Sequence, residues 1–254
     1  MMSLKDEILK QSQKHSEVST SSNIQNVIIE QTLNKLFDFG DKDEVERSGL
    51  HASAIIAAET KFCFREQVLS LLFKQTQGHH LPSKQKRVFE EGKAIHRKWQ
   101  GLFERSGIAD EIELRHYEEK YDLYFTPDAV VKINSKKYVV EIKSMNSFQY
   151  QKAISHPSGQ KQLELYMHLL GIRDGFVLAE DKNTQDFKVF ILTYDYERLM
   201  PIISRLETVI SMKNAFLSDK EIPARTCKNP ACSRANECNM KDACFNIGIG
   251  RVRL

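Results

Sequence analysis

Residues 126–143, TPDAVVKINSKKYVVEIK, constrain this chain more than any other stretch. Ala129–Ile133 and residues 138–142 are rich in β-branched residues, and Asn134-Ser135 between them is turn chemistry. The pattern predicts two strands joined as a hairpin. Such a hairpin wants apolar residues, yet it carries Asp128 at one end and Glu141-x-Lys143 at the other. Side chains alternate faces along a strand, so Glu141 and Lys143 share a face and Ile142 takes the opposite one. Charges at strand ends are commonly a solvated rim, and an exposed Glu-x-Lys pair contributes little. Two carboxylates and an ammonium drawn together by a hairpin can instead bind a divalent metal and keep one cation to spare.

The rest of the chain decides between these readings. Its 254 residues suit one large domain or two modest ones, and 41% hydrophobic with 28% charged residues is ordinary for a soluble globular chain. The net charge of +3 does not by itself announce a nucleic-acid partner. No apolar run is long enough to cross a bilayer, and the N-terminal stretch lacks the apolar core of a secretory signal, so the expected location is cytoplasmic.

Residues 1–23 begin with a short helical pattern and run into a Ser/Thr-rich polar stretch that reads as a mobile arm, and residues 23–39 carry apolar positions close to helical spacing. A helix is predicted from Ser53 to about Leu72 and another from Ser83 to about Ser106, the latter with Val88, Phe89, Ile95, Trp99 and Phe103 on its apolar face. Strands follow at 111–117, within 121–133 and at 137–144. A helix at 159–170, strands at 175–180 and 186–192, and a long helix at 195–217 come next, and the chain is loop-like from Ile222. This order predicts an α/β fold, a mixed sheet flanked by helices. The organisation expected is an arm and helix over 1–50, a core over 51–220 and a Cys-rich tail over 221–254.

His96 lies four residues after Gly92, which shares its helix face and leaves room for another backbone to approach. An imidazole beside two carboxylates makes a mixed N/O site that suits Mn²⁺ or Mg²⁺. Gln162 and Tyr166 are also four apart, an amide and a phenol on one face that can hydrogen-bond phosphate oxygens. Of five cysteines, Cys227, Cys232, Cys238 and Cys244 crowd into one short tail, with Cys63 far upstream. In a reducing compartment that crowding favours thiolate ligation over disulfides, with zinc or an iron–sulfur cluster as the candidates. Five thiols are one too many for either.

Gly92-x3-His96, Asp128, Glu141-Ile142-Lys143 and Gln162-x3-Tyr166 occur in the order seen in RecB-like nucleases of the PD-(D/E)XK superfamily, and Pro127-Asp128 supplies the literal "PD". Cys63 followed by a C-terminal cysteine cluster resembles their iron–sulfur branch, which includes CRISPR-associated exonucleases, AddB-type repair nucleases and phage recombination nucleases. The resemblance spans roughly residues 53–245. It implies a restriction-endonuclease-like core in which His96, Asp128, Glu141 and the Ile142 carbonyl hold Mg²⁺ or Mn²⁺. It implies that Lys143 positions or activates the attacking water, and that Gln162 and Tyr166 steady the DNA and the lysine. It further implies a [4Fe–4S] cluster on Cys63 and three tail cysteines, binding the tail back to an early helix. The family's usual tail is C-x2-C-x5-C, whereas the intervals here are x4, x5 and x5; the reading favoured is Cys227, Cys238 and Cys244 as ligands and Cys232 spare.

The function expected is a metal-dependent deoxyribonuclease, an exonuclease on single-stranded DNA or DNA ends, working with recombination, repair or CRISPR proteins. The alternatives are an endonuclease on the same core, or a non-catalytic nucleic-acid-binding module whose cysteine tail holds zinc.

Overall fold

The computed structural model describes residues 49–73 and 83–246, together with the helical positions Val27, Ile29, Gln31 and Leu33. Beyond those four positions, the helix read over 23–39 lies outside the described residues. The chain divides into two compact units, one of Met1–Val45 with His80–Phe89 and one of Glu46–His79 with Glu90–Leu254. The sheets and the site described below lie in the second.

Its frame is a five-stranded mixed sheet in the order β2-β5-β6-β7-β8. The strands are β2 (Ala109–Ile112), β5 (Ala129–Ile133), β6 (Lys136–Met145), β7 (Asp174–Asp181) and β8 (Phe187–Thr193). Among the described strands of this sheet only β6 and β7 run parallel. A parallel neighbour needs a crossover, and here it carries α4 (Ser147–Lys152) and α5 (Pro157–Leu170). A smaller sheet joins β1 (Leu50–His51), β4 (Leu123–Phe125) and β3 (His116–Glu118). The remaining helices are α1 (Ala52–Ile55), α2 (Phe64–Leu72), α3 (Ser83–Arg105), α6 (Tyr196–Asp219), α7 (Ser233–Asn236) and α8 (Lys241–Asn246).

Strand alternation divides the core into two layers. Val140, Ile142, Phe176 and Leu178 turn to one face and pack with Ile95 and Phe103 of α3. Val139 and Val177 turn to the other, against Leu163 and Met167 of α5 and Leu199 and Leu206 of α6. Close approach of α5 depends on Gly175, where an added Cβ would lie 2.8 Å from the Val139 carbonyl and 2.9 Å from Leu163 and Met167 atoms.

The hairpin read from sequence is present. β5 and β6 pair in register from Ala129↔Val140 to Ile133↔Lys136, leaving Asn134 and Ser135 as a two-residue turn. Both have positive φ, 50° and 66°, as a type I′ turn requires.

Several elements differ from the sequence reading. The helix expected over 53–72 is broken between Ile55 and Phe64. Carbonyls freed by the break are taken by long-range arginines: Arg205 donates to Ile55 and Ala57, and Arg234 to Thr60 and Phe62. The strand expected over 111–117 is two strands in two sheets, and the corner between them is Glu113, at φ 44°. Helix α4 had not been anticipated, although Asn146 caps it by accepting from Gln149 N at 2.9 Å. The tail holds two short helices, α7 and α8. Val88 and Phe89 are exposed, while Ile95 and Phe103 are buried as expected. Among the described residues no helix is long and apolar enough to cross a membrane.

Candidate active site

The hairpin register builds the site. One residue beyond Ala129↔Val140, Asp128 stands opposite Glu141. One residue beyond Ile112↔Ala129, Glu113 stands opposite Asp128 from the other side, and its N–H donates to the Asp128 carbonyl at 3.3 Å. Three carboxylates therefore form one row across β2, β5 and β6. Like charges directly opposite one another destabilise a sheet, so the row needs positive charge nearby.

Asp128 is the hub. Its Oδ1 lies 3.0 Å from His96 Nδ1 on α3, and its Oδ2 accepts from Ile142 N at 2.6 Å. That bond turns the Ile142 amide toward the open end of β5. The carbonyl of a strand residue points the same way as its N–H, so the Ile142 oxygen also faces the Asp128 side, beyond the ladder's last partner. Gln100 supports the hub from one helical turn further along α3, donating to the Asp128 carbonyl at 3.1 Å.

Glu141 is 1% exposed. One oxygen takes Lys143 Nζ at 2.5 Å, and the other is buried with no hydrogen-bond partner among the described residues. Burial, and then the charge of Asp128, push this carboxyl up to about 8, with Lys143 acting in the opposite direction. An orphaned buried oxygen beside a second carboxylate is a donor set suited to a hard cation.

Helix α5 supplies the far wall. Lys143 Nζ donates to Gln162 Oε1 at 3.3 Å, and Gln162 Nε2 donates to Tyr166 Oη at 2.8 Å. Tyr166 is buried, stacked on Phe125 with ring centroids 5.7 Å apart, and burial raises its phenol above the ordinary range. Gly159 lets the first turn of α5 lie against the lysine: an added Cβ would sit 2.9 Å from His156 Nδ1 and 3.4 Å from Lys143 Cε. The sequence reading gave that role to Gly92. There an added Cβ would meet only Ser144 Oγ, at an ordinary 3.7 Å, so Gly92 opens no path for a backbone.

His96, Asp128, Glu141, Ile142, Lys143, Gln162 and Tyr166 are thus brought together at one end of β5 and β6. Sequence reasoning missed Glu113. The ligand atoms of His96, Glu113 and Asp128 lie within 4.8 Å of one another, and Glu141 stands outside that trio. Glu113 had been read only as part of a strand; nothing in its spacing revealed that β2 pairs with β5.

A second cluster forms where the tail folds back on α2. Cys63, Cys227, Cys238 and Cys244 line one recess together with Arg65, Glu66 and Thr226, and Cys232 is not among its lining residues. All five thiols are free. Arg65 ties the two segments, donating to Pro223 O at 2.8 Å, to Cys244 O at 3.0 Å and to Cys244 Sγ at 3.1 Å. Burial and then the adjacent Cys232 thiol push Cys227 up to about 11, and burial and then Glu66 push Cys238 up to about 12. Thiols so crowded suit a soft or borderline metal that would offset the charge of their thiolates.

No protein-family model matches the chain. No curated protein matches its sequence. Among solved structures, the alkaline exonuclease LHK-Exo from Laribacter hongkongensis, in complex with dAMP, is similar at a TM-score of 0.51 and 16% identity over 68% of this chain and 92% of that one. The crystal structure of SSO0001 is similar at a TM-score of 0.49 and 16% identity, over 85% of this chain and 96% of that one. The phage related exonuclease from Haemophilus somnus 129PT has a TM-score of 0.43 and 14% identity, over 74% of this chain and 100% of that one. The chain thus shares a mixed α/β fold with LHK-Exo.

Proposed function

We propose that this protein is a divalent-metal-dependent DNA nuclease, and more narrowly an exonuclease acting on single-stranded DNA or DNA ends. The observation that carries the reading is the meeting of Asp128, Glu141 and Lys143 on one hairpin with His96 from α3 and the Gln162–Tyr166 pair from α5. The fold shared with LHK-Exo, named as an alkaline exonuclease, supports it.

His96, Asp128, Glu141 and the Ile142 carbonyl would hold Mg²⁺ or Mn²⁺. Such an ion would supply Lewis acidity there, for polarising the scissile phosphate and for deprotonating a bound water at neutral pH. Lys143, held by Glu141 and Gln162, would orient that water and balance charge growing on the phosphoryl oxygens. Gln162 holds the ammonium through its carbonyl, and Tyr166 holds Gln162. His96 and the Ile142 amide fix the Asp128 carboxylate between them, one on each oxygen.

The four thiols of Cys63, Cys227, Cys238 and Cys244 would hold a [4Fe–4S] cluster, with Cys232 spare and Zn²⁺ the competing occupant. Its task is mechanical, to bind the tail to α2. DNA is the proposed substrate, handled in the cytoplasm alongside recombination, repair or CRISPR proteins.

The test is purified protein with Mg²⁺ or Mn²⁺ on linear and closed circular DNA, each linear strand labelled at its 5′ or 3′ end. Degradation of linear DNA with the circle spared supports the exonuclease. Cleavage of the circle points to an endonuclease on the same core. No cleavage of either substrate with either metal overturns the nuclease reading.

A further inference from the structure

We infer that Glu113 is a fourth side-chain ligand of the cation site, closing its solvent-exposed side; this rests on the metal-site reading above. The register sets Glu113 opposite Asp128, and its ligand atom lies within 4.8 Å of those of both His96 and Asp128. Its carboxylate makes no hydrogen bond or ion pair among the described residues. Neighbouring Glu111, by contrast, is taken by His116 at 3.0 Å. A second observation stands on the other side of Asp128, in the same row of carboxylates. Glu141, at the other end of the carboxylate row, keeps a buried oxygen without a partner. Lys143 offsets one charge of this three-acid row, but one oxygen stays orphaned and one carboxylate uncommitted, and a divalent ion supplies the balance.

The backbone positions Glu113 for the task. It is the corner at which the chain leaves the large sheet for the small one, at φ 44°, and its N–H is fixed by the Asp128 carbonyl. Its exposure places it on the side from which a phosphate and a water would enter. The inner ligands, Asp128 and Glu141, set where the cation sits. Glu113 sets how tightly it is held before substrate arrives.

The test is calorimetric titration of metal-free protein with Mn²⁺, with the melting temperature as a second readout. The parent is expected to bind. Loss of outer-shell partners of metal ligands already costs about 10- to 100-fold in affinity, so Glu113→Gln should weaken Mn²⁺ binding by at least about tenfold. Removing one of three aligned negative charges should also raise the melting temperature of the metal-free protein. Glu113→Asn, whose side chain tolerates positive φ, should weaken binding equally and guards against a folding artefact. If both variants bind Mn²⁺ as the parent does while Asp128→Asn does not, the inference about Glu113 fails and the metal site stands. If the parent binds no Mn²⁺, the metal-site reading falls and this inference with it.

Discussion

The carboxylate row and the cysteine recess gather polar groups by opposite means. In the row, Asp128, Glu141 and Glu113 come from three neighbouring strands, and ladder register alone sets their spacing. The backbone beneath them is buried: Val130, Val131, Val139, Val140 and Ile142 are all at or below 1% exposure. In the recess, Cys63 precedes a helix and the other thiols come from a tail with two four- to six-residue helices, so few ladder bonds fix them. Long-range bonds from arginine to backbone carbonyls hold them instead: Arg65 to Pro223 and Cys244, Arg225 to Cys244, and Arg234 to Thr60 and Phe62. Strands make a site that is preorganised before any ligand arrives. The tail makes one whose order depends on a few side chains.

The largest expected effect is on the chemistry of the carboxylate row. Lys143→Ala should lower DNA cleavage by at least about 100-fold, the scale for losing one charge-stabilising donor. Parental cleavage by that variant would remove Lys143 from the reaction. Arg65→Ala attacks the other region. Arg65 is 5% exposed and leaves three acceptors when it goes. At about 1 kcal/mol or more for each buried bond lost, the cost is about 3 kcal/mol, measured by denaturant unfolding. Cys63→Ser should strip iron and sulfide from the protein by chemical analysis and loosen the tail to proteolysis, leaving residues 129–145 protected. Loss of protection in both regions together would mean that they unfold as one.

A smaller effect probes the seam between sheet and helix. Gly175→Ala pushes a methyl into the Val139 carbonyl and should destabilise by about 1–3 kcal/mol, the usual scale of overpacking. A further probe concerns pH. In metal-free protein the Glu141 carboxyl is raised to about 8 from an ordinary value of 4.5. The folded state then binds the proton more tightly than the unfolded one, so this contribution to stability is complete below pH 4.5 and is lost as pH rises toward 8. Glu141→Gln should flatten that part of the stability profile, and an unchanged slope would place the charge elsewhere.

How far the sequence reached follows the same division. The hairpin was legible because Asn134-Ser135 and the β-branched runs on either side are local signals, and local signals fix register. Register then carries Asp128 to Glu141 without further information. His96, Gln162 and Tyr166 were legible through resemblance, since nothing local shows that α3 and α5 converge on one strand end. Glu113 was not legible: β2 pairs with β5 across the whole of the small sheet's insertion, and a long-range pairing leaves no mark in spacing. The break between α1 and α2 was hidden for a related reason. No glycine or proline marks it, and the donors that stabilise it, Arg205 and Arg234, lie far along the chain.

The central claim is that the acids at the end of β5 and β6 form a metal site that cuts DNA. Its most direct measurement is release of acid-soluble nucleotides from linear DNA by the parent and by Asp128→Asn, with Mn²⁺ and with chelator. The account predicts release by the parent with Mn²⁺ alone, and none by the variant under either condition. Equal release by Asp128→Asn, or release by the parent in chelator, would contradict it.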